Sequence, residues 1–227
     1  MKTSIAFLLL IIAVIAVSAL FRSGEKPAGQ ALEGLPWQIE ILPYGETKVF
    51  GLIPARSTLD DARRRFGMDM EIAVLAAPGE PGSLEAYSSN VTAGVIMGKM
   101  ILVAAVDKET VARLRQRAVK AEYMDGTTRK YILHPDDVAL AWRTPIAGIT
   151  FIPTASLDEQ TVLRRFGVPG ERIRVDGRIE HFLYPEKGLD LALDSKGKEV
   201  LQYVAPRQFA RLREPLIKVA PVTTHRP

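Results

Sequence analysis

The chain has 227 residues, 47% of them hydrophobic and 25% charged, with no cysteine and a formal net charge of +4. That length suffices for one or two domains with a sizeable core, and the cysteine count excludes disulfides and thiolate metal sites. Basic and acidic residues are interspersed, so the charge pattern carries no nucleic-acid footprint.

Lys2 precedes an apolar run over residues 5–21 that only Ser18 interrupts. The run exceeds the ~7–15-residue core of a usual signal peptide and falls slightly short of the ~20 residues that span a bilayer. Residues 1–22 therefore read as a signal anchor. The small residues at Val17-Ser18-Ala19 keep a cleaved signal peptide as the alternative. Either reading exports the rest of the chain. The first predicts an inner-membrane, single-pass protein with a periplasmic C-terminal region; the second predicts a periplasmic protein. Residues 23–35 are rich in Gly, Pro and Ala and read as a linker.

A first α+β unit is expected over 36–145. Alternation predicts strands at 36–43 and 49–53, with a turn at Gly45-Glu46 between them. A capped helix follows within PARSTLDDARRRFGM, residues 54–68. Strands are predicted at 71–75, 84–91 and 95–106, with a loop at 78–82. The unbroken apolar run 101–106 suggests a central strand covered on both faces. Asp107 caps a helix predicted over most of 108–124, with Val111, Leu114, Ala118 and Ala121 as its buried stripe and Asp125-Gly126 as its stop. A strand at 128–133 and a helical turn from Pro135 to Trp142 complete the unit. Pro145 and Gly148 read as the junction to the next.

The second unit, 146–214, is the clearer one. Ser156 with Asp158 and Glu159 makes a helix entry, Leu157, Val162 and Phe166 share a face, and Gly167 with Pro169 ends the helix. The period then becomes two. Ile173 and Val175 lead to an Asp176-Gly177 turn and a strand at 179–184. After a turn at 185–188, Leu189, Leu191 and Leu193 alternate with Asp190 and Ala192, and a turn at 195–197 leads to a strand at 200–204. This is one helix against a three- to four-stranded antiparallel meander, with the leucines facing the helix. A short helix is expected over 207–213 and a flexible tail over 215–227. PARSTLDDARRRFGM also parallels PTASLDEQTVLRRFGV at 153–168, which suggests duplication of a structural unit. The predicted fold class is α+β: an N-terminal transmembrane or signal helix followed by two helix-on-antiparallel-meander units.

The order helix, R-F-G-x-P, strand, Y-P-x-x-G-L, alternating strand, D-x-x-G-K, strand resembles the SmpA/OmlA family of small envelope proteins, which includes outer-membrane assembly lipoproteins. The resemblance implies the helix-plus-meander fold and a scaffold-like role. This chain departs from the family in having no cysteine to lipidate, so the resemblance does not extend to a lipid anchor in the outer membrane.

Residues with chemical potential are sparse. The histidines are His134, His181 and His225; none pairs at ligand spacing, so no metal is expected, and His181 reads as a half-exposed sheet residue. Ser195-x-x-Lys198 has the letters of a serine–lysine acyl-transfer pair but falls in a hairpin turn, where that chemistry needs one helix face. Asp60-Asp61, Asp136-Asp137 and Asp158-Glu159 all sit at predicted helix starts, where carboxylates complement the dipole. No Gly-rich phosphate loop occurs, and neither a catalytic residue nor a cofactor is assigned. Arg113, Arg115, Arg117 and Lys120 form a basic helix face, read as a solvated surface or as a contact for anionic lipid headgroups. Phe182, Tyr184 and Tyr203 form a candidate contact surface, with packing against the helix as the plainer explanation. The function expected is a membrane-tethered, non-catalytic envelope binding or assembly module. Its partner would be an envelope protein or an anionic membrane surface, without nucleic acid. The alternatives are a periplasmic hydrolase and a small-ligand or lipid-binding protein.

Overall fold

The computed structural model describes residues 33–124 and 127–219. The apolar segment, most of the linker, the Asp125-Gly126 stop and residues 220–227 lie outside them. The described chain is α+β, with a large antiparallel sheet. After a short ribbon, β1 (Glu40–Leu42) and β2 (Glu46–Lys48), come α1 (Leu59–Phe66), β3 (Glu71–Ala76), β4 (Ser83–Ala93) and β5 (Ile96–Ala104). Then follow α2 (Lys108–Arg117), β6 (Lys120–Tyr123), β7 (Arg129–Ile132), α3 (Pro135–Trp142) and β8 (Ile146–Pro153). The chain ends with α4 (Glu159–Phe166), β9 (Glu171–Arg174), β10 (Ile179–Tyr184), β11 (Leu189–Asp194), β12 (Val200–Val204) and α5 (Ala210–Val219).

Ten strands form one antiparallel sheet in the order β6-β7-β3-β4-β5-β8-β12-β11-β10-β9. The seam between its halves is the pairing of β5 with β8, from Gly98 opposite Pro153 to Ala104 opposite Ile146. The stretch that Pro145 and Gly148 mark as a junction is thus an interior strand, bonded to β5 on one side and β12 on the other. One cluster of buried side chains crosses the seam. It contains Met100, Leu102, Ile149 and Phe151 from the central strands and Leu59, Val111, Val162 and Phe166 from α1, α2 and α4.

Local chemistry explains the helices. The Thr58 hydroxyl accepts from the Asp61 amide while the Asp61 carboxylate accepts from the Thr58 amide at 2.8 Å, a reciprocal cap on α1. Asp158, two residues beyond the expected Ser156, caps α4 by accepting from the Thr161 amide. Both helices end at glycines with positive φ, Gly67 and Gly167.

Residues 33–53 cross the roofed face between these helices. Trp37 meets the Phe166 ring edge-on at 6.3 Å and lies under the Arg165 guanidinium. Phe50 packs on Phe151 and Tyr203, and the Tyr203 hydroxyl donates to the Pro36 carbonyl at 2.9 Å. The strand expected at 49–53 is instead a tight reversal. Phe50 and Gly51 both have positive φ, and Val49 and Leu52 exchange backbone hydrogen bonds. The strand expected at 36–43 is regular only over Glu40–Leu42.

Two further expectations change. The helix predicted over most of 108–124 ends at Arg117; the next residue, Ala118, has ψ 134°, and the chain becomes β6 because its backbone finds β7. Ala121, assigned to the buried stripe, is therefore exposed. The tail expected from 215 is α5 as far as Val219, because Leu216 packs with Phe209 and Leu212 on Ile173, Leu183 and Val204 of the second face. Arg213 clamps it with two hydrogen bonds to Glu171, at 2.6 and 3.0 Å.

Gly98 is required by the seam, since a Cβ there would lie 2.5 Å from the Ile152 carbonyl and 2.6 Å from the Phe151 ring. Gly98→Ala is expected to cost about 1–3 kcal/mol in urea unfolding, whereas Gly177→Ala, with nothing within 4 Å of the new atom, stays within about 0.5 kcal/mol. The Asp61 carboxyl is held below its ordinary pKa by the Thr58 amide and hydroxyl. A carboxyl depressed in the folded state stabilises above its unfolded value and loses that contribution as pH falls through the folded one. Acid titration should therefore destabilise the parent more steeply than Asp61→Asn; parallel acid limbs would remove this role.

Candidate binding surfaces

The aromatic trio does not form a contact surface. Phe182, Tyr184 and Tyr203 are 0%, 4% and 1% exposed, because alternation points all three to the face that α4 and residues 33–53 cover. Burial pushes the Tyr184 hydroxyl up to about 12, against the lowering effect of nearby Arg172, and its proton goes to the Gly167 carbonyl at 3.0 Å. Burial also raises Tyr203 well above its ordinary value.

The basic residues of α2 and β6 are spent within the fold. Arg115 donates to the Glu80 and Pro81 carbonyls at 3.0 and 2.9 Å and lies over the Tyr131 ring. Arg117 is 2.8 Å from Asp137, and Lys120 is 2.7 Å from Glu122. Arg113 donates to the Thr110 hydroxyl at 3.4 Å and lies near enough to the capping Asp107 to add to the lowering of its pKa by the Thr110 amide and hydroxyl. Arg117 and Lys120 are thus paired with carboxylates, which weakens the combined field of the four cations at a lipid surface, while Arg115 is held by neutral carbonyls and keeps its charge.

The acidic pairs sit in the first turns of α1 and α3 and at the cap of α4. His134 caps α3, its Nδ1 accepting from the Asp136 amide at 3.3 Å. His181 on β10 is half-buried, with Nδ1 at 2.9 and 3.0 Å from the two oxygens of buried Asp190 on β11. Ser195 lies in the bend after β11, and the Lys198 ammonium reaches away to the Thr154 carbonyl. Among the described residues, no three His, Cys, Asp or Glu side chains group so as to hold a metal ion, and no helix is long and apolar enough to cross a membrane.

Sequence reasoning missed two surfaces. The first is the sheet face opposite the core. Register aligns Glu71, Tyr87, Ile101, Thr150, Gln202 and Asp190 in one row across six strands. The helix α5 covers this face over β9, β10 and β12. Towards β3, β4 and β5, the side chains of Leu75, Tyr87, Ile101 and Val103 are only half-buried. A groove of about 190 Å³ runs along the margin, lined by Val103, Gly148, Thr150, Gln202, Arg211 and Leu212. On the same face, burial pushes the Glu85 carboxyl above its ordinary pKa, partly offset by the Ser83 hydroxyl donating at 2.5 Å. The apolar run 101–106 predicts a central strand covered on both faces, but within β5 only Leu102 and Ala104 of that run face the core. Ile101 and Val103 stay half-buried on the second face, where α5 packs over β9, β10 and β12 instead.

The second surface is a cleft of about 300 Å³ lined by Asp158, Glu159, Glu180, Asp194 and Glu199 with Arg174 and Arg178. Arg172 pairs with Glu159 and Glu180, and Arg178 with Asp194. Glu199 is 5% exposed, and its Oε2 has no hydrogen-bond partner among the described residues. Arg174 also pairs with Glu180, so the buried Glu199 is the acid of the cleft left without compensation among the described residues.

Comparisons with protein-family models, curated proteins and solved structures found no match. The local geometry carries its own test: Arg115→Ala should lower stability by about 1 kcal/mol through its lost hydrogen bonds, while Arg113→Ala leaves urea unfolding unchanged. Equal effects would mean that Arg115 does not anchor α2.

Proposed function

We propose that the chain is a non-catalytic binding or assembly module of the cell envelope, tethered to the membrane by residues 1–22, with the region from 36 onward periplasmic. The observation that carries this reading is the uneven cover of the sheet. One face is packed throughout the core cluster, while the other has a helix over β9, β10 and β12 and a half-buried apolar row over β3, β4 and β5. An apolar strip flanked by polar groups such as Glu85, Gln202 and Arg211 is the surface chemistry of a protein partner site. The tether rests on the apolar run at 5–21.

The finer architecture belongs to the same proposal: two helix-on-meander units derived by duplication and similar to SmpA/OmlA-like envelope proteins. Support comes from the matching order of capped helix, R-F-G, and a strand opening on glutamate. Glu71 and Glu171 each bind a cation, Lys130 and Arg213. Small-ligand binding is the second reading, favoured by the buried Glu199 Oε2, which has no hydrogen-bond partner among the described residues.

A photo-crosslinking side chain at Ile101 of the full-length protein in its native membrane tests the assignment. One discrete protein adduct is expected, lost in a Val103→Lys background and absent when the probe sits at Arg64 on α1. Adducts of equal yield at both positions, or none at Ile101, would remove the sheet face as the partner site. A lipid adduct alone would shift the reading to a lipid-binding module.

A further inference from the structure

We infer that β6 is a self-complementary edge through which two copies of this chain pair, joining their sheets antiparallel about a two-fold axis at Ala121. The strand is the terminal one of the sheet and pairs only with β7 among the described residues. The Met124 amide bonds to the Thr128 carbonyl at 3.0 Å. Alternation along an antiparallel ladder then turns the backbone groups of Glu122 inward to β7 and those of Ala121 and Tyr123 outward. Ala121 is exposed, Tyr123 is 72% exposed, and the flanking Val119 and Met124 are 58% and 44% exposed. Large apolar side chains bordering an unpaired ladder are the surface that strand addition covers.

Charge selects a second copy as the occupant. With Ala121 opposite its own equivalent, Lys120 of one copy lies opposite Glu122 of the other, twice over. The Lys120–Glu122 pair within each strand, at 2.7 Å, then becomes part of an alternating quartet. The opposite edge lacks this match. Pairing β9 with itself about Ile173 would set Arg172 against Arg174, like charges that disfavour the contact. Sheet growth through β6 therefore closes at two copies.

Because the chain has no cysteine, Ala121→Cys in the full-length protein provides a single thiol at the proposed axis. A hydrogen-bonded antiparallel pair separates Cα atoms by about 5.5 Å, within the range a disulfide bridges. Mild oxidation in native membranes should convert most of this variant to a covalent dimer. Ala139→Cys, on the exposed side of α3, should remain monomeric. Adding Lys120→Glu should weaken the dimer roughly tenfold by inverting two cross-strand pairs, and adding Glu122→Lys as well should restore it. A monomeric Ala121→Cys chain, equal crosslinking at Ala139, or no rescue by the double exchange would each overturn the assignment.

Discussion

The pairing of β5 with β8 brings together two stretches separated by four other elements of the chain and leaves neither with a free edge. Apart, the flanking meanders would each expose a row of unpaired amides and carbonyls at the point of greatest hydrophobicity. Joined, they satisfy those groups and share the side chains that neither half could bury alone, with Met100 and Leu102 on one side and Ile149 and Phe151 on the other. Gly98 permits the approach by leaving room for the Phe151 ring. The arrangement of α1 and α4 on one face, with residues 33–53 between them, follows from the continuity of the sheet at this seam.

The second half was nearly transparent in the sequence. The Asp176-Gly177 turn, the alternating leucines of β11 and the stop at Gly167 each have a local cause, and local causes are what a sequence displays. The failures lie where a distant partner overrode a local preference. Residues 118–124 continue a good helical pattern, yet β7 offers them a ladder and they become an edge strand. Residues 49–53 have the composition of a strand, but Phe50 must enter the space beside Phe151 and Tyr203, and a reversal with positive φ delivers it there.

The candidate surfaces were less legible, for a related reason. Period-two alternation separates Phe182 and Tyr184 from His181 and Leu183, but it does not say which pair lies beneath a helix. That depends on α4 and on α5, whose sequence includes Pro215 and resembles a loose end. The basic residues of α2 illustrate the same limit. Their spacing advertises a charged face, while Arg115 and Arg117 find partners in the loop before β4 and in α3, elements remote in the chain.

The hydrogen bond from Tyr203 to the Pro36 carbonyl also has a mechanical meaning. Tension applied at Glu33 would pass through Pro36 into β12, an interior strand held by ladders on both sides, and through Trp37 into the end of α4. Load would thus enter the middle of the sheet, where no strand can peel away one bond at a time as it could from β6 or β9. A pull from the amino-terminal side would load Tyr203, which is 1% exposed, before either edge of the sheet.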